Sequence, residues 1–180
     1  MGGDSGGTFW GALLGFVISG GNPFGAALGA SIGNAIDSGL NKQRIGPKTR
    51  GQDILLHNVW LEFDCYENGE EGFKIHLSFE IHGYTNQDIV CFCYFTDRQG
   101  QPFRGQRQGY QDAKGRLIVG EIFSCPYKSA AYDDFTLFMP YDAFFFGEKR
   151  QLLMIGNVAF VKIREEIANY HRAFEITLTR

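Results

Sequence analysis

Polar side chains alternate with apolar ones along the segment from Lys74 to His82, and its two histidines and one glutamate could bind a metal or transfer a proton. His76 and His82 fall on the same face of a predicted strand, with Glu80 between them. Six residues of strand place the two imidazoles ~20 Å apart, which is too far for both to bind one metal ion. The pattern therefore predicts exposed surface histidines and no metal site.

Other reactive groups lack the partners that catalysis needs. Asp133-Asp134 precedes an apolar run, where a paired acid could bind a cation or act as a base but more typically caps a loop or forms an Asx turn. Ser124, Cys125 and Ser129 have no histidine at a local spacing that would activate them. No GxGxxG or P-loop pattern occurs. We therefore predict a protein that is not an enzyme, with no catalytic residue and no cofactor.

The cysteines indicate free thiols. Cys65, Cys91, Cys93 and Cys125 all lie in apolar, strand-like surroundings. Cys91 and Cys93 share one face of a strand, so they cannot easily form a relaxed disulfide with each other. Buried free thiols are typical of a reducing compartment, and the absence of a Cys-x-x-Cys pair argues against zinc.

Net charge argues against nucleic-acid binding. The chain carries a formal charge of −3, whereas phosphate neutralisation needs a concentrated basic face. A group of basic residues gathers around two predicted turns, but acidic and polar neighbours dilute it. A solvated loop is the prediction for this group, which consists of Arg98, Arg104, Arg107, Lys114 and Arg116.

Of the elements that must position these residues, the glycine-rich segment (residues 8–40) is the most unusual. No charged residue lies between Trp10 and Ile36. Gly11 and Gly15 are spaced by four residues, and a second series, Gly21 to Gly33, has a glycine at every fourth position. Such spacing keeps glycines near one line of a helix, where a second backbone can approach closely, as in helices that associate in lipid. The predicted membrane and self-association residues are Gly11, Gly15, Gly21, Gly25, Gly29 and Gly33, with Trp10, Phe16 and Phe24.

Asn22-Pro23 divides this segment into two helical halves, which predicts an α-helical hairpin within residues 1–40. Each half is shorter than the ~20 residues that span a bilayer. A re-entrant hairpin or a kinked single span would fit, and so would a hairpin buried inside a soluble homo-oligomer.

A basic linker follows at residues 41–53. Lys42, Arg44, Lys48 and Arg50 directly after an apolar segment favour a cytoplasmic position for this flank. The resulting prediction is an inner-membrane protein with its next domain on the cytoplasmic side. A solvated linker in a cytoplasmic protein is the alternative.

Residues 54–180 read as one mainly β domain. Ile75, Leu77, Phe79 and Ile81 alternate with polar residues, as in a strand with one wet face. The prediction is an antiparallel β-sandwich of the Ig-like or C2-like kind. Its expected strands lie near residues 55–66, 75–81, 88–96, 103–110, 116–124, 134–139, 151–163 and 174–178, separated by turns at 68–69, 84–86, 97–100 and 113–115.

Phe144, Phe145 and Phe146 are adjacent, so their side chains cannot all point into one core face. At least one should be exposed or covered by a neighbour. The run predicts a subunit or membrane contact, or else a loop that folds back over the end of the sandwich.

Two stretches resemble known proteins. The layout of Gly21, Gly25, Gly29 and Gly33 with Ile36-Asp37 resembles the amino-terminal membrane segment of membrane-anchored DnaJ-like and TerB-type proteins, which implies inner-membrane anchoring and self-association. No His-Pro-Asp triplet of a J domain is present, so co-chaperone activity is not implied. Residues 59–143 resemble an uncharacterised bacterial β-sandwich module, with Phe138-Met139-Pro140-Tyr141 among the matching landmarks.

Together these patterns predict a non-enzymatic, membrane-associated homo-oligomeric scaffold or adaptor. Its partners would be other copies of itself, the lipid bilayer and a protein bound by the β-sandwich. A pore-forming or membrane-permeabilising effector is one alternative. A soluble multimeric assembly with buried hairpins is the other.

Overall fold

The computed structural model describes residues 53–146, 151–162 and 168–179. These described residues form seven strands and one short 3-10 helix. The strands are β1 (Asp53–Glu67), β2 (Glu70–His82), β3 (Asp88–Thr96), β4 (Ile118–Ser124), β5 (Ser129–Pro140), β6 (Gln151–Lys162) and β7 (Ala168–Thr179). The 3-10 helix, Tyr141–Ala143, follows β5 directly.

The strands form two antiparallel sheets that enclose one apolar core. One sheet has the order β1-β2-β5 and the other has the order β4-β3-β6-β7. The inward residues of β2 are the alternating apolar ones, and each is at most 1% exposed. The prediction of a mainly β, antiparallel sandwich is therefore confirmed.

The β1–β2 hairpin turns at Asn68-Gly69, as predicted. Glu67 pairs with Glu70 across a two-residue loop. Both loop residues have positive φ, 53° and 82°, which is the backbone that a type I′ turn requires and that Asn-Gly favours. The local sequence thus sets the register of this strand pair next to the turn, and two shifts change the register farther along β1.

Two predicted details are wrong. Residues 103–110 form no strand but part of a long connection between β3 and β4, because their backbone N–H groups bond to scattered partners, such as Gln106 to Ala143, and not to one neighbouring strand. Asp133 and Asp134 do not cap a loop, since β5 begins at Ser129. The register shifts between Leu77 and Phe79, and two aspartates lie opposite one residue of β2 in a β-bulge.

Strand β3 is buried on both faces. Cys91, Cys93 and Phe95 point into the core between the sheets. The alternate residues Val90 and Phe92 point away from that core and are still at most 1% exposed. The unbroken apolar sequence of this strand is typical of such double burial.

The glycine-rich segment and most of the basic linker lie outside the described residues. The predicted helical hairpin and its residues from Trp10 to Gly33 therefore remain predictions. Among the residues that the structure does describe, no helix has the length and apolar character needed to cross a bilayer.

Candidate functional site

The three adjacent phenylalanines follow the 3-10 helix and point in different directions. Phe144 is 3% exposed and packs between Phe73 and Phe95, with ring centroids 5.8 and 5.6 Å away. Phe145 is 67% exposed, and Phe146 is half-buried against the core. The run therefore anchors itself in the core through one ring and presents another to the surface.

A bulge in β1 lies opposite this run. The register of β1 and β2 shifts between Glu62 and Cys65, and Asp64 takes a positive φ of 56°. The hydroxyl of Tyr141 donates to Asp64 Oδ1 at 2.9 Å and accepts from the Asp64 backbone N–H at 3.1 Å. Burial is the main cause that raises the pKa of Tyr141, so this hydroxyl keeps the proton that it donates. The bulge is thereby fixed with Phe63 turned to the surface.

Together these elements enclose a cleft of about 820 Å³, which we call the aromatic cleft. Such a volume lies within the range of small-ligand and peptide-side-chain sites, ~300–1,000 Å³. Aromatic rings form much of its wall and hydroxyl, amide and carboxylate groups lie among them. Its lining consists of Phe63, Tyr141, Phe144, Phe145 and Phe146 with Asp64, Gln106, Asp142, Thr177, Leu178 and Thr179.

The connection between β3 and β4 closes one side of the aromatic cleft. Gln106 donates its backbone N–H to the Ala143 carbonyl at 3.1 Å, and its side-chain amide donates to the Phe144 carbonyl. Arg107 pairs with Glu70 and with Asp142, the latter at 3.0 Å. The prediction of a solvated basic loop holds for the exposed residues Arg98, Arg104 and Lys114. It is wrong for Arg107, which holds the connection against the hairpin and the 3-10 helix, and for the buried Arg116.

The polar groups of the aromatic cleft therefore bind one another. Asp64 is held by Tyr141, Asp142 by Arg107, and Gln106 by two backbone carbonyls. Such groups keep the walls in place, and the exposed rings of Phe63 and Phe145 offer apolar surface to a ligand. Fixed walls with exposed apolar rings are suited to binding a ligand.

A second cluster contradicts the prediction that His76 is an exposed surface histidine. His76 is only 8% exposed, because the ring of Trp60 stacks on it at 5.1 Å. Asp134 Oδ1 lies 2.6 Å from its Nδ1 and Glu62 Oε2 lies 3.1 Å from its Nε2. The bulge in β5 brings Asp134 to this position, which strand spacing alone could not reveal.

This histidine cluster lies on the outer face of the three-stranded sheet, and His82 is not part of it. His82 instead contacts Ser129 and Glu80 at 3.0 and 3.2 Å. Across the described ranges, no three histidine, cysteine or acidic side chains are grouped in a way that would hold a metal ion. The side chains of the cluster come from β1, β2 and β5, so their contacts link the three strands of this sheet.

The predicted free thiols are present, three of them buried and Cys65 half-buried. Burial raises the pKa of Cys91 and Cys93 well above the ordinary value. Since the thiolate is the reactive form, we expect only one of the four thiols to react quickly with Ellman's reagent in the native protein. All four should react in guanidinium, and Cys65→Ser should remove the fast phase. Two or more fast thiols in the native protein would contradict this burial.

Sequence reasoning found the phenylalanine run but missed Phe63, Asp64 and Tyr141. The signal for Tyr141 was its place directly after Pro140, where β5 must end. Nothing in the sequence marks Asp64, because its role depends on a bulge and on a hydroxyl 77 positions away.

No family model matches the chain, and no curated protein is significantly similar to it in sequence.

Proposed function

We propose that the protein is a non-enzymatic, membrane-associated scaffold or adaptor that assembles through its glycine-rich segment and binds a protein partner in the aromatic cleft. The aromatic cleft is the observation that carries the binding role. Its exposed rings lie among polar groups that are already paired with other groups of the protein. The observation that supports assembly is the uncharged series Gly21, Gly25, Gly29 and Gly33.

We assign the sandwich to the Ig-like class, which often serves as an interaction module. In the constant-type Ig domain, strands A, B, E and D form one sheet and strands C, F and G the other. The order β1-β2-β5 corresponds to A-B-E, and β3-β6-β7 corresponds to C-F-G. The fourth strand differs, since β4 lies beside β3, as C′ does in variable-type domains.

An extended peptide is the ligand that best fits the aromatic cleft. Phe63 and Asp64 belong to β1, while Thr177 and Thr179 belong to β7, and each of these strands is the edge of its sheet. Edge strands can add a peptide as a further strand, with pockets that take alternate side chains. A basic side chain on that peptide would meet the carboxylates of Asp64 and Asp142 and the faces of the aromatic rings.

The assembly role is tested by replacing two glycines of the series in the full chain. Gly25→Leu with Gly29→Leu should block close approach of a second helix, because each leucine fills the space that the bare backbone leaves. We expect a smaller particle in detergent, measured by light scattering on a size-exclusion column, and a reduced membrane fraction after cell lysis.

Gly6→Leu with Gly7→Leu is the matched control, since it makes the same change outside the series. Retention of both mass and membrane fraction by the Gly25/Gly29 variant would overturn the assembly role. Leakage of a trapped dye from liposomes on addition of the unmodified protein would instead favour a pore-forming effector. Purification without detergent as a large soluble particle would favour the soluble assembly.

A further inference from the structure

The edge of β7 forms one wall of the aromatic cleft at the carboxyl end of that strand. Thr177, Leu178 and Thr179 all line the cleft. Successive side chains of a strand point to opposite faces of its sheet, and the Leu178 side chain belongs to the core and is only 3% exposed. The three consecutive residues therefore meet the cleft along the edge of the strand, where their backbone groups lie.

This edge has the regular geometry that an added strand needs. β7 pairs with β6 without a register shift from Ala173 to Thr179, and among the described strands β6 is its one neighbour. Alternate residues of a strand direct their N–H and C=O groups to opposite sides. Every second residue of β7 therefore directs its backbone donor and acceptor away from β6, which is the pattern that an extended peptide pairs with.

β1 is the other edge strand at the aromatic cleft, and its edge is irregular there. The bulge between Glu62 and Cys65 places one extra residue in β1, and Asp64 has a φ of 56°. A bulge bends an edge strand and interrupts its ladder, which hinders pairing with another strand. We therefore expect β1 to contribute side chains to the ligand site and β7 to contribute backbone groups.

The charge of the aromatic cleft is concentrated on the Asp64 carboxylate. Asp142 is paired with Arg107 at 3.0 Å, whereas Asp64 accepts from the neutral hydroxyl of Tyr141 and forms no ion pair with a basic side chain of the described ranges. Exposed aromatic rings line the same cleft. A guanidinium group fits these surroundings, because it can bind a carboxylate through two hydrogen bonds and stack on aromatic faces.

We propose that β7 is the docking strand of the aromatic cleft and that its ligand is an extended peptide with an arginine that binds Asp64. Residues directly opposite each other in paired strands point to the same face. The peptide residue opposite Leu178 therefore points towards the space between the sheets, and this is the position of the arginine. Its two neighbours, opposite Thr177 and Thr179, point outward and need only strand-forming side chains. This inference rests on the proposed function, because it specifies the ligand of the same cleft.

Fluorescence anisotropy with a labelled peptide, Thr-Val-Thr-Arg-Thr-Val-Thr, tests the role of Asp64 in the full chain. Asp64→Asn removes the charge, and asparagine tolerates the positive φ of this position. We expect this variant to bind the arginine peptide about fivefold more weakly than the unmodified protein.

Two controls isolate the ion pair. A peptide with neutral citrulline in place of arginine should bind the unmodified protein and the Asp64→Asn variant within about twofold of each other. Asp133→Asn loses the same charge at an exposed position of β5 outside the cleft lining, and it should leave binding of the arginine peptide within about twofold. Equal binding of the arginine peptide by the unmodified protein and the Asp64→Asn variant would overturn the assignment of Asp64.

Two N-methylated forms of the arginine peptide test backbone pairing. One carries N-methyl groups on the arginine and on the second residue after it, and the other carries them on the two residues beside the arginine. Because alternate N–H groups point to opposite sides of a strand, one form should bind within about twofold of the parent and the other about tenfold or more weakly.

Photo-cross-linking identifies the strand that the peptide pairs with. p-Benzoylphenylalanine replaces the threonine before the arginine, at a position that points outward. After digestion with trypsin, we expect most cross-links on the fragment 173–180, which contains the end of β7, and few on the fragment 51–74, which contains β1.

Equal binding of the two N-methylated forms, or cross-links mainly on 51–74, would overturn docking on β7. If Phe145→Ala still weakened binding in that case, the aromatic cleft would remain the binding site and the proposed function would stand. Absence of binding by every peptide would overturn this inference, whereas the assembly role is decided separately by the Gly25/Gly29 variant.

Discussion

Replacing Asp112 by alanine is expected to lower the free energy of unfolding by about 3–5 kcal/mol, because it removes the buried carboxylate that pairs with the Arg116 guanidinium and accepts two backbone N–H groups. The Asp112 side chain is 0% exposed and that of Arg116 is 8% exposed. Oδ2 of Asp112 accepts from Nε and from a terminal nitrogen of Arg116, both at 2.6 Å. Its Oδ1 accepts the backbone N–H groups of Lys114 and Arg116 at 2.9 and 2.8 Å.

Urea denaturation of the unmodified protein and of the Asp112→Ala variant, monitored by tryptophan fluorescence, measures this loss. Arg98→Ala is the control, since Arg98 and Glu175 form an ion pair at 3.4 Å with both side chains about 60% exposed, and it should change the stability by less than about 1 kcal/mol. Asp112→Asn keeps a neutral acceptor and should fall between the two. A loss below about 1 kcal/mol for Asp112→Ala would contradict this prediction, because it would show that water or other groups stabilise the Arg116 guanidinium in the variant.

This ion pair also has a consequence for the aromatic cleft. Asp112 and Arg116 lie at the end of the β3–β4 connection, and the same connection brings Gln106 and Arg107 to the cleft. Backbone bonds from Gly105 to Gly115 and from Asp112 to Arg116 join its two halves. Loss of the pair should therefore loosen one wall of the cleft as well as the loop itself.

The strands were predictable where local sequence decides them. Alternation in β2 and the Asn68-Gly69 turn define a hairpin whose register follows from a two-residue loop. The apolar run from Ile89 to Phe95 predicted the strand β3, although its burial on both faces was not predicted. These features depend on neighbours in sequence, which is why they could be derived.

The sites were not predictable because each depends on contacts between distant residues. His76 looks like a surface residue on its own strand, and only a bulge in β5 supplies Asp134 and only β1 supplies Trp60. The region from 103 to 110 looks like a strand by composition, but its backbone bonds run to Gly115 and Ala143. The run of three phenylalanines predicted that their side chains point in different directions, but it did not indicate which ring would enter the core.

Phe79→Ala is expected to lower the free energy of unfolding by about 3–5 kcal/mol, because it opens a cavity in the centre of the sandwich. Phe79 is 0% exposed. Its ring stacks on Tyr132 at 4.8 Å and meets the edge of Phe160 at 4.8 Å, so it joins the two sheets. Phe123 and Phe135 complete the surrounding shell at 5.7 and 5.6 Å.

Phe145→Ala is the matched control, since it removes the same atoms from a ring that is 67% exposed, and its effect should stay within about 0.5 kcal/mol. Phe79→Leu retains much of the volume and should lose less than Phe79→Ala, which keeps the comparison usable if the alanine variant does not fold. Equal losses for Phe79→Ala and Phe145→Ala would contradict the assignment of these rings to core and surface. If the expected difference is found, Phe145 can be substituted in binding experiments without loss of the fold.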